Sequence, residues 1–144
     1  MDLRPRSDVQ YPYVALGWAL FIIGLSSIPG EDLPSPPILN FDKLAHVGVY
    51  GVLGALVYLA LLHQAKFPFL IRNAFLASTF LGSAYGVTDE LHQLFVPGRS
   101  CDILDWTADT IGVIVGILVI RRALHWYERR KSAPVSDSRP GGSP

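Results

Sequence analysis

Residues 101–122, CDILDWTADTIGVIVGILVIRR, decide the fold, because an apolar run of helical length carries its acids at one end and arginines at the other. Asp102, Asp105, Asp109, Gly112 and Gly116 follow one another at steps of three, four, three and four residues. That rhythm makes one continuous stripe on an α-helix. The glycines allow a neighbouring backbone to come close, and the aspartates extend the same face toward the end of the segment. Asp102 and Asp105 suit a helix N-terminus, where a carboxylate meets unpaired N–H groups. Asp109 escapes that explanation. It lies about 10 Å into the helix, where an uncompensated charge in an apolar setting costs several kcal/mol. An ionisable residue in that position on a packing face marks a functional site, with Arg99 and Lys43 as the expected cationic partners.

Three further apolar segments have the same length class, about Val14 to Ile28, Leu44 to Leu62 and Phe69 to Val87, beside Ile103 to Ile120. Each is close to the roughly 17 to 25 residues that cross a bilayer core as helix. Half of the 144 residues are hydrophobic and the mean hydropathy is +0.33, which leaves no room for a separate soluble domain. Continuous apolar runs exclude a barrel, whose strands alternate with a period of two. The expected fold is therefore an all-α membrane protein with four transmembrane helices in a compact bundle over residues 1–131. Residues 132–144, rich in Pro, Gly and Ser, read as a disordered cytoplasmic tail.

Charge is balanced at 12 basic and 12 acidic residues, and the balance hides a separation. Arg4, Arg6, Lys66, Arg72, Arg121, Arg122, Arg129, Arg130 and Lys131 fall at one end of the segments. Glu31, Asp32, Asp42, Asp89, Glu90, Asp102 and Asp105 fall at the other, with only Lys43 and Arg99 as permanent cations. By the positive-inside rule both termini are cytoplasmic and the acidic end faces outward. The first segment resembles a secretory signal, yet Ser26 to Gly30 lacks an Ala-x-Ala cleavage site. The sole cysteine, Cys101, forms no intrachain disulfide. The short turn from His63 to Pro68 makes spans two and three antiparallel.

At the acidic end of span two, Asp42, His46 and Tyr50 recur at four-residue steps, and Gly48, Gly51 and Gly54 open that region to close approach. Helix capping accounts for Asp42 alone, not for a histidine and a tyrosine below it. Span three brings Gly82, Gly86, Asp89, Glu90 and Gln93 before Pro97-Gly98. Carboxylates at a helix C-terminus oppose the macrodipole, so their structural benefit is small. A solvated helix end remains the plain alternative.

Asp42-Lys43-x-x-His46-x-x-x-Tyr50, Asp89-Glu90-x-x-Gln93, Pro97-Gly98-Arg99-Ser100, Asp102-x-x-Asp105 and a Thr110-x-Gly112 helix together resemble the VanZ-like family of small bacterial membrane proteins, over about Ser26 to Gly116. The resemblance implies a polytopic protein of the bacterial inner membrane and cell envelope. It also implies a connection with antibiotic resistance, because the family's namesake is associated with resistance to teicoplanin. Where family members commonly carry Asn before Thr-x-Gly, this chain has Asp109, an added ionisable group.

Three function classes fit. In the first, Asp42, Lys43, His46, Tyr50, Asp89, Glu90, Gln93, Arg99, Ser100, Asp102, Asp105 and Asp109 form an outward site that binds an anionic lipid headgroup, a cell-wall precursor or a glycopeptide-related ligand. In the second, the site belongs to a hydrolase or transferase acting on a lipid-linked substrate, with His46, Asp89, Glu90, Asp105 and Asp109 as acid–base candidates. Ser100 lacks a nucleophile elbow, so no nucleophile motif supports it. The third is a transporter or channel subunit, ranked last because the inner halves of the spans are apolar. No cofactor is expected, since no spacing is a recognised metal signature. Asp42, Asp89, Glu90, Asp105 and Asp109 are the oxygen donors a divalent cation would use, and His46 would widen the choice toward zinc. Membrane lipid is the expected partner, and nucleic acid is not. The basic segment with His125, Trp126 and Tyr127 suits a membrane interface.

Overall fold

A computed structural model describes residues 10–32 and 41–132, which form helices joined by short connections, with no strand among them. Helix α1 spans Gln10–Ser26, α2 Phe41–His63, α3 Pro68–Arg72, α4 Ala74–Gln93 and α5 Ile103–Ser132, with one 3-10 turn at Gly30–Asp32. The N-terminal arginines, the prolines at 34, 36 and 37, and the tail from residue 133 lie outside the described residues.

The helix boundaries follow local chemistry. Pro12 sits in the first turn of α1, where its missing N–H costs nothing, and Pro29-Gly30 follows the last turn. His63 Nδ1 bonds the Leu59 carbonyl 2.8 Å away at the end of α2. The expected third span is two helices, because Asn73 interrupts it. Its side-chain amide donates to the Phe69 carbonyl at 2.8 Å and its backbone leaves helical geometry, with φ −110° and ψ 22°. Beyond the break α4 runs to Gln93, past the expected end at Val87. The fourth span also continues past Ile120 through the basic segment to Ser132, where Arg130 lies over the Trp126 ring at 3.9 Å.

α2 is the centre of the assembly and packs most extensively against α5, then against α1 and α4. α2 and α5 run parallel, and glycines set their spacing. A Cβ on Gly112 would stand 2.5 Å from the Val47 carbonyl oxygen, one on Gly54 equally close to that of Val113, and one on Gly116 would overlap the Gly51 carbonyl. Gly82 accommodates the Val113 side chain. Gly48, expected to join this face, has no neighbour within 4 Å. The core is Ile22, Tyr50, Leu53, Tyr58, Ala74, Val113 and Ile117.

Two connections meet at one end of the bundle. The Gly30 N–H donates to the Pro97 carbonyl at 3.0 Å, and Ser27 Oγ pairs with His92 Nε2 at 2.9 Å. Gly98 makes the turn at φ +70°, a conformation that favours glycine. The Tyr11 and His63 rings meet at the opposite end, tilted by 38° with 4.6 Å between centroids.

By length and composition, two helices can cross a membrane: Asp42–His63 and Ile103–Ser132. α1 is apolar but has 17 residues, and α4 is diluted by Ser78, Thr79, Ser83, Thr88, Asp89, Glu90, His92 and Gln93. Apolar side chains nonetheless face outward on both, among them Leu16, Leu20 and Phe21 on α1 and Leu76, Phe80 and Leu91 on α4.

Candidate functional site

Parallel packing of α2 on α5 sets the register that builds the site: residue 43 falls beside 102 and 105, and residue 46 beside 109. At the rim, Lys43 Nζ donates to Asp105 Oδ1 at 2.5 Å and to Asp102 Oδ2 at 3.1 Å, with Asp42 Oδ2 at 3.7 Å. Asp102 caps α5, its Oδ1 accepting the Leu104 N–H at 2.8 Å. That amide, and secondarily the Lys43 ammonium, hold the Asp102 carboxyl below its ordinary value. A depressed carboxyl stabilises the fold at pH above its unfolded value, and the benefit is lost as pH falls through the folded one.

One turn further in, His46 Nδ1 lies 2.8 Å from Asp109 Oδ1. Asp109 is completely buried, and its Oδ2 has no hydrogen-bond partner. The expected cationic partners Lys43 and Arg99 do not reach it; the imidazole takes that place. Glu90, also buried, accepts the Asp102 N–H on Oε2 at 2.8 Å and receives only a 3.5 Å contact from Gln93 on Oε1. Deeper still, the Tyr50 hydroxyl donates to Asp89 Oδ2 at 3.1 Å, and Asp89 Oδ1 is unpaired. The His46 and Tyr50 rings are nearly parallel, 6.4 Å apart at an interplanar angle of 9°. Asp89 and Glu90 are both buried, and as adjacent positions on a helix they point to different neighbours. Each meets a different neighbour, Asp89 the α2 tyrosine and Glu90 the α5 cap.

The structure thus gathers Lys43, His46, Tyr50, Asp89, Glu90, Gln93, Asp102, Asp105 and Asp109. Asp42 stays on the exposed rim. Arg99 donates from Nε to the Ile28 carbonyl at 3.3 Å and forms no ion pair with an acid among the described residues. Ser100 is exposed and makes no hydrogen bond among them. Sequence reasoning passed over Trp106, whose indole donates to the Ser83 carbonyl at 3.1 Å, and the Ser83–Thr110 hydroxyl pair at 2.8 Å. The steps 106, 110, 113 and 117 are the signal that was available, a second α5 stripe beside the acidic one.

An open cleft of about 190 Å³ lies between the ends of α4 and α5, lined by Val87, Glu90, Leu91, Cys101, Asp102, Ile103 and Trp106. Its accessible surface is almost wholly apolar, and Glu90 and Asp102 lie in its wall. The arrangement offers buried carboxylates, an oriented imidazole and an open apolar cleft beside them.

No curated protein and no solved structure matches the chain. A family model described as VanZ/LLP1 matches residues 5–125, which takes in all five helices up to the basic segment and every residue of the polar cluster. The chain therefore belongs to the VanZ/LLP1 family.

Proposed function

We propose that this protein crosses the bacterial inner membrane four times, with both termini cytoplasmic, and uses its outward polar cluster to bind the headgroup of a lipid-linked envelope molecule. The observation that carries the reading is the gathering of buried polar side chains from α2, α4 and α5 at one end of the bundle, beside an open, apolar cleft. Outward-facing apolar residues on all four long helices support lipid as their solvent, because soluble monomers rarely expose apolar surface on that scale. α1, at about 25 Å, is short for a bilayer core, and Ile28 and neighbouring loop residues extend its apolar reach. The separation of Lys and Arg from the acids supports the orientation.

A chain in the membrane can lie along the cleft between Val87, Leu91, Ile103 and Trp106 while its headgroup reaches Glu90 and the cluster behind it. The His46–Asp109 pair favours a second reading, in which the same headgroup is transformed. A carboxylate that fixes an imidazole is the device by which histidine serves as acid or base.

Binding of a polyprenyl-phosphate carrier to the protein in nanodiscs tests the first reading. Wild type should retain the carrier, and Trp106→Ala, in the cleft wall, and Lys43→Met, which removes the cation of the rim, should weaken retention. Equal retention by wild type and both variants, or none by wild type, overturns it. Product formation from the carrier that is lost in His46→Gln would favour the second.

A further inference from the structure

The cluster is rich in carboxylates, its one permanent cation, Lys43, is engaged by three aspartates, and Arg99 lies outside it on a backbone carbonyl. His46, Glu90 and Asp109 stand apart from that rim network. They come from three different helices, and one donor atom from each lies within 4.8 Å of the other two. From these residues we propose a divalent-cation site formed by His46, Glu90 and Asp109, suited to a first-row metal such as Zn²⁺ or Mn²⁺.

The second observation is the state of the donor atoms. Asp109 has no exposure at all, yet its Oδ2 lacks a partner, a condition that is costly for a buried charged group unless something supplies the bond. Glu90 Oε1 has only the 3.5 Å contact from Gln93, and His46 Nε2 makes no hydrogen bond among the described residues. Each member of the trio therefore keeps a lone pair uncommitted.

The donor set chooses the class of ion. One imidazole nitrogen with two carboxylates and no thiolate suits zinc or manganese, and three protein ligands leave further positions open, as in catalytic rather than structural zinc sites. Two carboxylates balance a dication, so the ion would remove the repulsion between two buried anions. His46 retains 14% side-chain exposure and offers a path from the rim. Of the donors singled out in the sequence the trio keeps His46, Glu90 and Asp109, while Asp42 and Asp105 are held by Lys43, and Asp89 by Tyr50. The ion's further use, as the positive charge that would receive an anionic headgroup, rests on the proposed binding function. The ion site itself does not.

The test uses the whole protein in detergent, stripped with chelator and then given Zn²⁺ alone or Co²⁺ alone. One equivalent of Zn²⁺ should bind and raise the unfolding temperature, as any ligand of the folded state does. Co²⁺ should give the visible absorption of an ion in a low-symmetry protein site. Both signals should be lost in His46→Gln and Glu90→Gln, with affinity at least about tenfold weaker, or about 1.4 kcal/mol, and kept in Asp42→Asn. Helix content and monodispersity certify folding of each variant, and either glutamine variant alone suffices. Absence of stoichiometric binding, or binding unchanged in a folded variant, overturns the site. Failure of polyprenyl-phosphate binding in a protein that does hold metal overturns the headgroup reading instead.

Discussion

Asp109 lies fully buried with one carboxylate oxygen on His46 and the other unpartnered, so removal of the imidazole strands an acceptor that water cannot easily reach. His46→Ala should cost about 2–3 kcal/mol of stability, and the double variant with Asp109→Ala should recover part of that loss. Denaturant unfolding of the purified protein reads both; additive losses would mean that the pair is not coupled. At the rim, Lys43→Met takes the shared cation from Asp102 and Asp105. The Asp102 carboxyl should then titrate at higher pH than in wild type while staying below its ordinary value, because the Leu104 amide remains. Carboxyl NMR titration would show an unmoved Asp102 if the ion pair does not persist in solution. The sequence made Asp109 visible through its stripe with Asp105 and Gly112. It did not reveal that Lys43 rather than Arg99 serves the acids, because that depends on α2 lying parallel to α5 and on the Gly98 turn that sends Arg99 back toward Ile28.

Among the elements, the α2–α5 contact is where glycine matters most, and two glycines on these helices separate packing from helix propensity. Gly112→Ala sets a methyl group against the Val47 backbone and should destabilise by about 1–3 kcal/mol, with Gly112→Leu worse. Gly48→Ala meets nothing within 4 Å, so helix propensity alone applies and the change should be neutral or stabilising by up to about 1 kcal/mol. Val115→Leu, on an exposed face, should also be near neutral. Thermal unfolding in detergent measures the series, and equal effects of Gly48→Ala and Gly112→Ala would refute the assigned interface. Sequence spacing identified Gly82, Gly86, Gly112 and Gly116 as packing positions, since small residues at four-residue steps have that physical meaning wherever helices touch. It misjudged Gly48 because three glycines at steps of three drift around a helix, and only 51 and 54 face α5. The break at Asn73 was hidden too, since an apolar window records composition and not a side chain that competes for a backbone carbonyl.

For the whole molecule, the separation of basic from acidic residues was fully legible, and it orders the helix ends as the connections do: residues 27–32 and 94–102 share one end, while Tyr11 and His63 share the other. The number of crossings is less legible, because α1 is short and α4 is polar where it builds the site. Function dilutes the hydropathy signal there. Cys101 reports the side of the membrane on which the cluster lies. It is the sole cysteine, it is exposed, and it precedes Asp102, whose N–H is bonded to Glu90. Labelling of the unmodified protein in intact spheroplasts with a membrane-impermeant maleimide therefore tests the outward-facing site most directly. The account predicts that Cys101 reacts without permeabilisation, whereas a cysteine introduced at Lys66 in a Cys101→Ser background reacts only after it. Protection of Cys101 until the membrane is opened, with Lys66→Cys reactive from outside, would contradict it.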